Sequence, residues 1–369
     1  MRIPENTACR LAEKIRGEAP AAHELRIRLD DTVLSVSCST FELAQGLNAY
    51  FSDFSVFERA KPDIRVTVHE TAAPEFCAQL APYSPEPGKT KIKEMFADIP
   101  GGRLIQKRQT GLAFILGPDI HLAVGPCAAN LNQVINFINT RFIEAKLARG
   151  GLLAHAAGVC RNGRGLGIAG FSGSGKSSLA LKMLSRGCDF ISNDRLILLK
   201  NNPGCRMIGV AKHPRVNPGT ILNNPDLAGI LPEPERSRYR RLPQDALWNL
   251  DEKYDVRIES AFPGRRFLLN TPMTGFVILN WKRTDAAPSL QPADPAIRRD
   301  LLAALIKQPG IFCLPSGEKA PRHFTEPDYI EALSACDVFE LAGGVDFEAA
   351  ADRLSAYLES GTETLRKAK

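Results

Sequence analysis

Patterns that announce metal or disulfide chemistry are missing from this chain. None of its nine cysteines stands in C-x-x-C spacing, and they are scattered from Cys9 to Cys336. An odd, irregular set in a chain of 369 residues argues against a disulfide framework and a cysteine-built zinc site, and predicts a reducing, cytoplasmic setting. No apolar run approaches the roughly 20 residues of a membrane-spanning helix, and the opening MRIPENTACRLAEKIRG has no apolar signal-peptide core; no membrane partner is expected. A large excess of one charge is missing too. The 47 basic and 41 acidic residues leave +6, spread along the chain, so no nucleic-acid partner is expected. The densest basic run, Arg236, Arg238, Arg240 and Arg241, reads as a solvated face. There is no internal repeat and no low-complexity tract. What remains is 44% hydrophobic residues over a length that suits one large or two ordinary globular domains.

One stretch carries chemistry. Gly167–Ser178 reads GIAGFSGSGKSS and contains G-x-x-x-x-G-K-[ST], opened by Gly170 and closed by Gly175, Lys176 and Ser177. Glycines let backbone N–H groups turn inward towards a polyphosphate. In that pattern Gly170, Ser172, Gly173, Ser174, Gly175 and Ser178 cradle the phosphates. Lys176 reaches the β- and γ-phosphates, and the Ser177 hydroxyl ligates Mg²⁺. The flanks agree: Gly165–Gly170 reads as a buried strand, and Ser177–Arg186 as a helix stopped by Gly187. The next strand candidate, around Phe190 and Ile191, should return parallel to the first through a right-handed crossover. That geometry sets Asn193 and Asp194 beside the glycine-rich loop, where a carboxylate could hold Mg²⁺ or take a proton from a nucleophile.

Along the rest of the chain, His23–Leu29 and Thr32–Ser37 alternate as a hairpin, Phe41–Phe54 has helical spacing, and Asp63–His69 alternates again. Ala81–Gly102 reads as a long loop or boundary, so a small α+β domain is expected over 1–100 and a nucleotide-binding domain over 101–369. Arg103–Gln109, Gly111–Leu116 and His121–Val124 suggest a meander. Asn130–Arg149 is a helix with a broad apolar stripe. Leu152–Cys160 reads as a strand, and Arg195–Lys200 with Cys205–Val210 as a hairpin. Ala246–Asp251, Ile297–Ile306 and Asp346–Leu358 read as helices. Asp255–Ile258, Arg266–Leu269, Gly275–Trp281 and Val338–Leu341 read as strands, and Thr284–Ala296 as a loop.

The run from His155 to Leu199 resembles the HPr kinase/phosphorylase group. The matching stretches are His155-Ala156-Ala157-Gly158, Gly170–Ser177, Arg186-Gly187 and Asn193-Asp194-Arg195. KHPRVNPGTILNNP from Lys212, LWNLDEKYDV from Leu247 and VILNW from Val277 look most like the branch called HprK-related kinase B. The resemblance implies an α/β fold: a P-loop kinase domain of the HPr kinase/PEP carboxykinase-like type, with a mixed central sheet and flanking helices, after a small α+β N-terminal domain. It also implies ATP and Mg²⁺ as cofactors, a protein Ser/Thr or small-molecule phosphoacceptor, and a ring-like homo-oligomer. Under it, His155 contacts Asp194 or the γ-phosphate. Arg215, on a loop bracketed by Pro214 and Pro218, suits a bidentate grip on the transferring group.

Two departures from the family pattern bear on chemistry. Asn193 stands where the family has its proton-accepting Asp, and an amide is no base at neutral pH, so the catalytic and metal-binding roles fall to Asp194. Where the family has a Glu-Ile-Arg-Gly-like signature, this chain reads Met207-Ile208-Gly209-Val210-Ala211, so the phosphorylase activity is not carried over. Asp255 and Glu259 are further carboxylates considered for the metal. The resulting expectation is an ATP- and Mg²⁺-dependent kinase. The alternative is a nucleotide-gated binding module without transfer. A transport ATPase is set aside, because no L-S-G-G-Q signature is present.

Overall fold

The computed structural model describes residues 7–18, 20–57, 61–76, 79–84, 91–201, 204–243, 246–247, 250, 252–314 and 323–361. The chain divides into two compact units, Met1–Ala148 with Pro309–His323, and Arg149–Gln308 with Phe324–Lys369.

The first unit is an eight-stranded mixed sheet. Its strands are β1 (His23–Leu29), β2 (Thr32–Cys38), β3 (Ile64–Glu70), β4 (Ala81–Pro82), β5 (Glu94–Ile99), β6 (Gly102–Lys107), β7 (Ala113–Gly117) and β8 (Ile120–Gly125), in the order β1-β2-β3-β8-β7-β6-β5-β4. The β2–β3 and β3–β8 pairs are parallel and the others antiparallel. Alternation along β7 sends successive side chains to opposite faces. Ala113 and Ile115 join Leu104, Leu122 and Val124 under Ala8 and Ala12 of helix α1 (Ala8–Glu18). Phe114 points the other way, onto Phe137 of α3 (Leu131–Ala148) and onto Phe312. Arg141 of α3 is fully buried, paired with Glu144 and bonded to the Phe312 carbonyl, which ties the returning segment into this unit. Helix α2 (Phe41–Tyr50), capped by Thr40, buries Leu43 and Leu47.

This arrangement corrects the expected domain boundary. A cut near residue 100 would part β5 from β6, which pair from Glu94↔Lys107 to Ile99↔Gly102. The meander belongs to the first unit because β8 pairs with β3, a contact between distant parts of the sequence. The expected loop Ala81–Gly102 likewise holds β4 and β5.

The second unit is built on a nine-stranded mixed sheet. It contains β9 (Leu152–Ala154), β10 (Ala156–Arg161), β11 (Arg164–Gly170), helix α4 (Lys176–Ser185), β12 (Asp189–Ser192), β13 (Leu196–Lys200) and β14 (Cys205–Ile208). A short β15 (Arg215–Val216), helices α5 (Pro218–Leu222) and α6 (Glu233–Arg240), β16 (Tyr254–Asp255) and helix α7 (Ile258–Ala261) follow. Then come β17 (Asn270–Leu279), β18 (Ser289–Pro292), helix α8 (Glu326–Leu333), β19 (Asp337–Ala342) and helix α9 (Phe347–Ser360). The main path is β12-β10-β11-β17-β14-β13-β9, with β19 pairing both β17 and β18. β15 and β16 pair separately.

The expected strand over Leu152–Cys160 breaks at His155, because β9 pairs with β13 while β10 pairs with β11 and β12. β12 does run parallel to β11, but not beside it: β10 lies between, antiparallel to both. Arg266–Leu269 is no strand and makes only a bridge at Phe267. The expected strand Asp255–Ile258 is shared between β16 and α7. Thr284–Ala296 contains β18, and Ile297–Ile306 forms a 3₁₀ turn over Arg299–Ala304 rather than an α-helix. The expected helix Ala246–Asp251 lies partly outside the described residues.

Helix α9 lies against α4 and the β10–β11 hairpin. Tyr357 fixes it: its hydroxyl is 2.7 Å from the Thr274 carbonyl and 2.9 Å from Asp337. Gly275 is required there, since a Cβ would stand 2.7 Å from the Tyr357 ring. On the outer face Lys182 of α4 and Arg186, its C-cap, pair with Glu348, and Arg186 with Asp352. No helix among the described residues is long and apolar enough to cross a membrane.

Candidate functional site

The glycine-rich loop joins β11 to α4 across Phe171–Gly175. Gly175 is the helix N-cap at φ +92°, in the left-handed region, and no side chain caps α4. The first-turn N–H groups therefore have no side-chain partner and face the loop as donors for an anion. Gly173 is also left-handed, at φ +79°. Gly170 has a different reason to be glycine: a Cβ would lie 2.4 Å from Ser174 Oγ and 2.9 Å from Leu279. The loop is clamped from behind. Trp281 donates its indole N–H to the Ser174 carbonyl at 2.7 Å, and its ring meets Phe347 edge-to-face at 5.0 Å. Phe347 in turn abuts Gly175. Lys176 is buried and donates to the Gly170 carbonyl at 2.7 Å. Burial pushes its ammonium pKa down, against the pull of Asp194.

The parallel course of β11 and β12 brings the ends of both strands to one sheet edge. Asp194 follows β12 there, with Oδ1 3.1 Å from His155 Nδ1. That is ion-pair distance, although the approach is not that of an aligned hydrogen bond. His155 sits at the β9–β10 break with its N–H bonded to the Leu305 carbonyl at 2.8 Å. Burial pushes the Asp194 carboxyl up, but His155, Lys307 and Arg195 outweigh it and hold the group well below the usual carboxylate range. The Asp194 side chain is 54% exposed, so screening by water tempers that effect.

Asp194, His155, Lys176, Ser177 and Arg215 all line one cleft of about 1130 Å³, together with Ser172, Gly173, Gly175 and Ser178. Gly170 and Ser174 do not line it; Ser174 lines a neighbouring pocket with Trp281 and Phe347. Ser178 Oγ is 3.4 Å from Thr220 Oγ1, which Asn217 positions by capping α5. Arg215 is exposed, 3.3 Å from Asp255, and donates to the Lys253 carbonyl at 3.4 Å. Asp255 is thus engaged with Arg215, and neither it nor Glu259 lines the cleft. Arg215 is the one cation outside the glycine-rich loop to which the sequence pattern gives a role. Arg195, Lys212, Lys253 and Arg283 also line the cleft. No local pattern tells which cations of residues 195–283 will converge.

The residues present suit a Mg²⁺-bound nucleotide. Asn193 lines the cleft, and its Oδ1 is buried without a hydrogen-bond partner, which suits a polar ligand. Ser177 and Asp194 would supply two hard oxygen ligands, enough for Mg²⁺, which keeps waters and phosphate oxygens for its other positions. No cluster of three His, Cys, Asp or Glu suited to a metal occurs among the described residues, so a site built from protein ligands alone is not seen there.

No family model matches the chain, and no curated protein matches it. Among solved structures it is similar to the HPr(Ser) kinase/phosphatase from Coxiella burnetii, at 11% identity, over 58% of this chain and 90% of that one, with a TM-score of 0.29. A likeness of that size carries no argument, and the functional reading rests on the site.

Proposed function

We propose that the second unit is an ATP- and Mg²⁺-dependent phosphotransferase, resembling HPr serine kinase, that moves the γ-phosphoryl group to a hydroxyl of a protein Ser/Thr or of a small molecule. One observation carries this reading. A single sheet edge bears an uncapped helix start with Lys176 and, one cleft away, the Asp194 carboxylate 3.1 Å from His155. Ser177 and Asp194 would hold Mg²⁺, which would supply charge neutralisation at the phosphates. Lys176 gives up its bond to the Gly170 carbonyl and turns to the β- and γ-phosphates. The acceptor hydroxyl oxygen forms the new P–O bond as the bond to ADP breaks, and its proton passes to Asp194, with His155 fixing the carboxylate. Arg215 draws charge from the transferring group. Catalysis is mostly positioning and electrostatics, because phosphoryl transfer runs through a loose transition state.

The same residues motivate a second reading, a nucleotide-gated module without transfer. Asn193 cannot accept the proton, and a carboxyl held below its usual range is a weak base. The loose transition state asks little of the base, which keeps transfer the favoured reading. Turnover of the wild type beside Asp194→Ala, measured together with nucleotide affinity, decides between them: the module reading predicts nucleotide binding with no product from either. Transfer predicts turnover lost with nucleotide binding largely kept; turnover near wild type in Asp194→Ala would show the roles assigned here to be wrong. Self-assembly into a homo-oligomer belongs to the same reading and is checked by light scattering.

A further inference from the structure

The cleft has more positive charge than a nucleotide needs. Lys176, Arg195, Lys212 and Lys253 line it, and Arg195, Lys212 and Lys253 have no carboxylate ion-pair partner within salt-bridge distance among the described residues. Among the described residues, Asp194 is the only carboxylate in its lining. Arg215 adds a guanidinium that Asp255 partly offsets from outside the cleft. Lys212 is half-buried, and its ammonium is pushed down by burial and by repulsion from Arg195 and Arg215, which outweigh the attraction of Asp194 and Asp255. Like charges held together in a partly dry cleft repel one another, and an anion bound among them relieves that repulsion. A Mg²⁺-bound nucleoside triphosphate brings about −2 in net charge. Lys176 and the start of α4 already serve its phosphates, on the loop side. Arg195, Lys212 and Lys253 come from other segments, after β12, after β14 and before β16.

We infer that these cations bind the acceptor, and that the acceptor is a small molecule bearing a phosphate or carboxylate beside its hydroxyl. This rests on the phosphotransfer reading and narrows it from any hydroxyl to an anionic one. The transfer balances as before: the acceptor oxygen takes the γ-phosphoryl group, ADP leaves, and one proton goes to Asp194. The acceptor's own anionic group is untouched and rests on Lys212 and Arg195. A cleft of about 1130 Å³ has room for a triphosphate with a compact second molecule. A neutral hydroxyl compound would leave the second set of cations unpaired.

The test is calorimetry on the full chain saturated with Mg²⁺ and a non-hydrolysable ATP analogue. Sulfate, glycerol 3-phosphate, lactate, glycerol and a serine peptide flanked by glutamates are titrated in turn. The expected result is one binding event per chain for glycerol 3-phosphate, for sulfate or for lactate, none for glycerol, and none tighter for the peptide. Phosphate and carboxylate sources are separated by comparing glycerol 3-phosphate with lactate. Lys212→Gln and Arg195→Gln should each weaken that event at least tenfold while changing analogue affinity less than about threefold, and Lys212→Arg should restore it. The inference is overturned if no small anion binds the loaded protein, if binding is unchanged in both variants, or if the acidic peptide binds tightest. If the analogue itself fails to bind wild type, the phosphotransfer reading falls and this one with it; if the analogue binds and the anions do not, only this one falls.

Discussion

Replacing Gly175 by alanine tests the account of the loop at its tightest point. Gly175 is at φ +92° with its Cα hydrogen facing Phe347, so a Cβ would stand 2.5 Å from Phe347 Cζ. Holding a non-glycine residue left-handed costs about 1–2 kcal/mol. Forcing a methyl group against a packed ring costs about 1–3 kcal/mol more. The ring has little room to yield, because Phe347 meets Trp281, whose indole N–H is committed to the Ser174 carbonyl. The expected loss for Gly175→Ala is therefore about 2–5 kcal/mol. Urea unfolding followed by Trp281 fluorescence, in a Trp248→Phe background, reads the second unit separately from the first, which matters because two units need not unfold as one transition. A double-mutant cycle with Phe347→Ala separates the two costs. With the ring gone, only the backbone part of about 1–2 kcal/mol should remain. If Gly175→Ala is neutral, or its full cost survives in the Phe347→Ala background, the clamp described here is wrong.

Other expectations follow from the same geometry. Trp281→Phe removes one hydrogen bond to the loop and should cost about 0.5–1.5 kcal/mol, read by urea unfolding with far-UV circular dichroism because the variant lacks the reporter indole, with weaker nucleotide binding. Asp194 has a depressed folded pKa, so its contribution to stability is present above the unfolded value of about 3.9 and fades as pH falls through the folded one. An NMR titration of its carboxyl should show no midpoint above about pH 4, and His155→Gln should move the midpoint up, since burial is then opposed only by Lys307 and Arg195. In the first unit, Arg141→Ala strips a fully buried cation from Glu144 and the Phe312 carbonyl and should destabilise that unit by about 3 kcal/mol, read by denaturant unfolding with far-UV circular dichroism.

What the sequence made legible was local. The strand, glycine loop and helix from Arg164 to Ser185 are adjacent in the chain, and their residue types carry the reason for their shape. The hairpin at His23–Cys38 and the helix at Leu131–Ala148 were readable for the same reason: period and turn chemistry act over a few residues. What could not be read depends on distant partners. The β3–β8 pairing, Thr67↔Leu122 onward, decides where the first unit ends, and Phe312 joins it through Phe114 and Phe137. The break at His155 arises because β9 and β10 find different neighbours, although their side chains form one apolar run. β18 sits in a Pro/Ala/Asp-rich stretch and is a strand only because β19 offers an edge. In the site, the acid and the loop came from motif and crossover geometry. Arg195, Lys212 and Lys253 stand in stretches that carry the family resemblance, but nothing in those stretches assigns them a role, and the charge balance that singles them out is visible only once the cleft is formed.

Transfer of label from γ-labelled ATP with Mg²⁺ is the most direct test of the central claim. The purified protein would be assayed alone and with the small-molecule and protein fractions of its host's lysate, beside Lys176→Ala and Asp194→Ala. The account predicts a labelled product that disappears in both variants. Nucleotide binding that depends on Lys176, with no labelled product in any fraction, would contradict it.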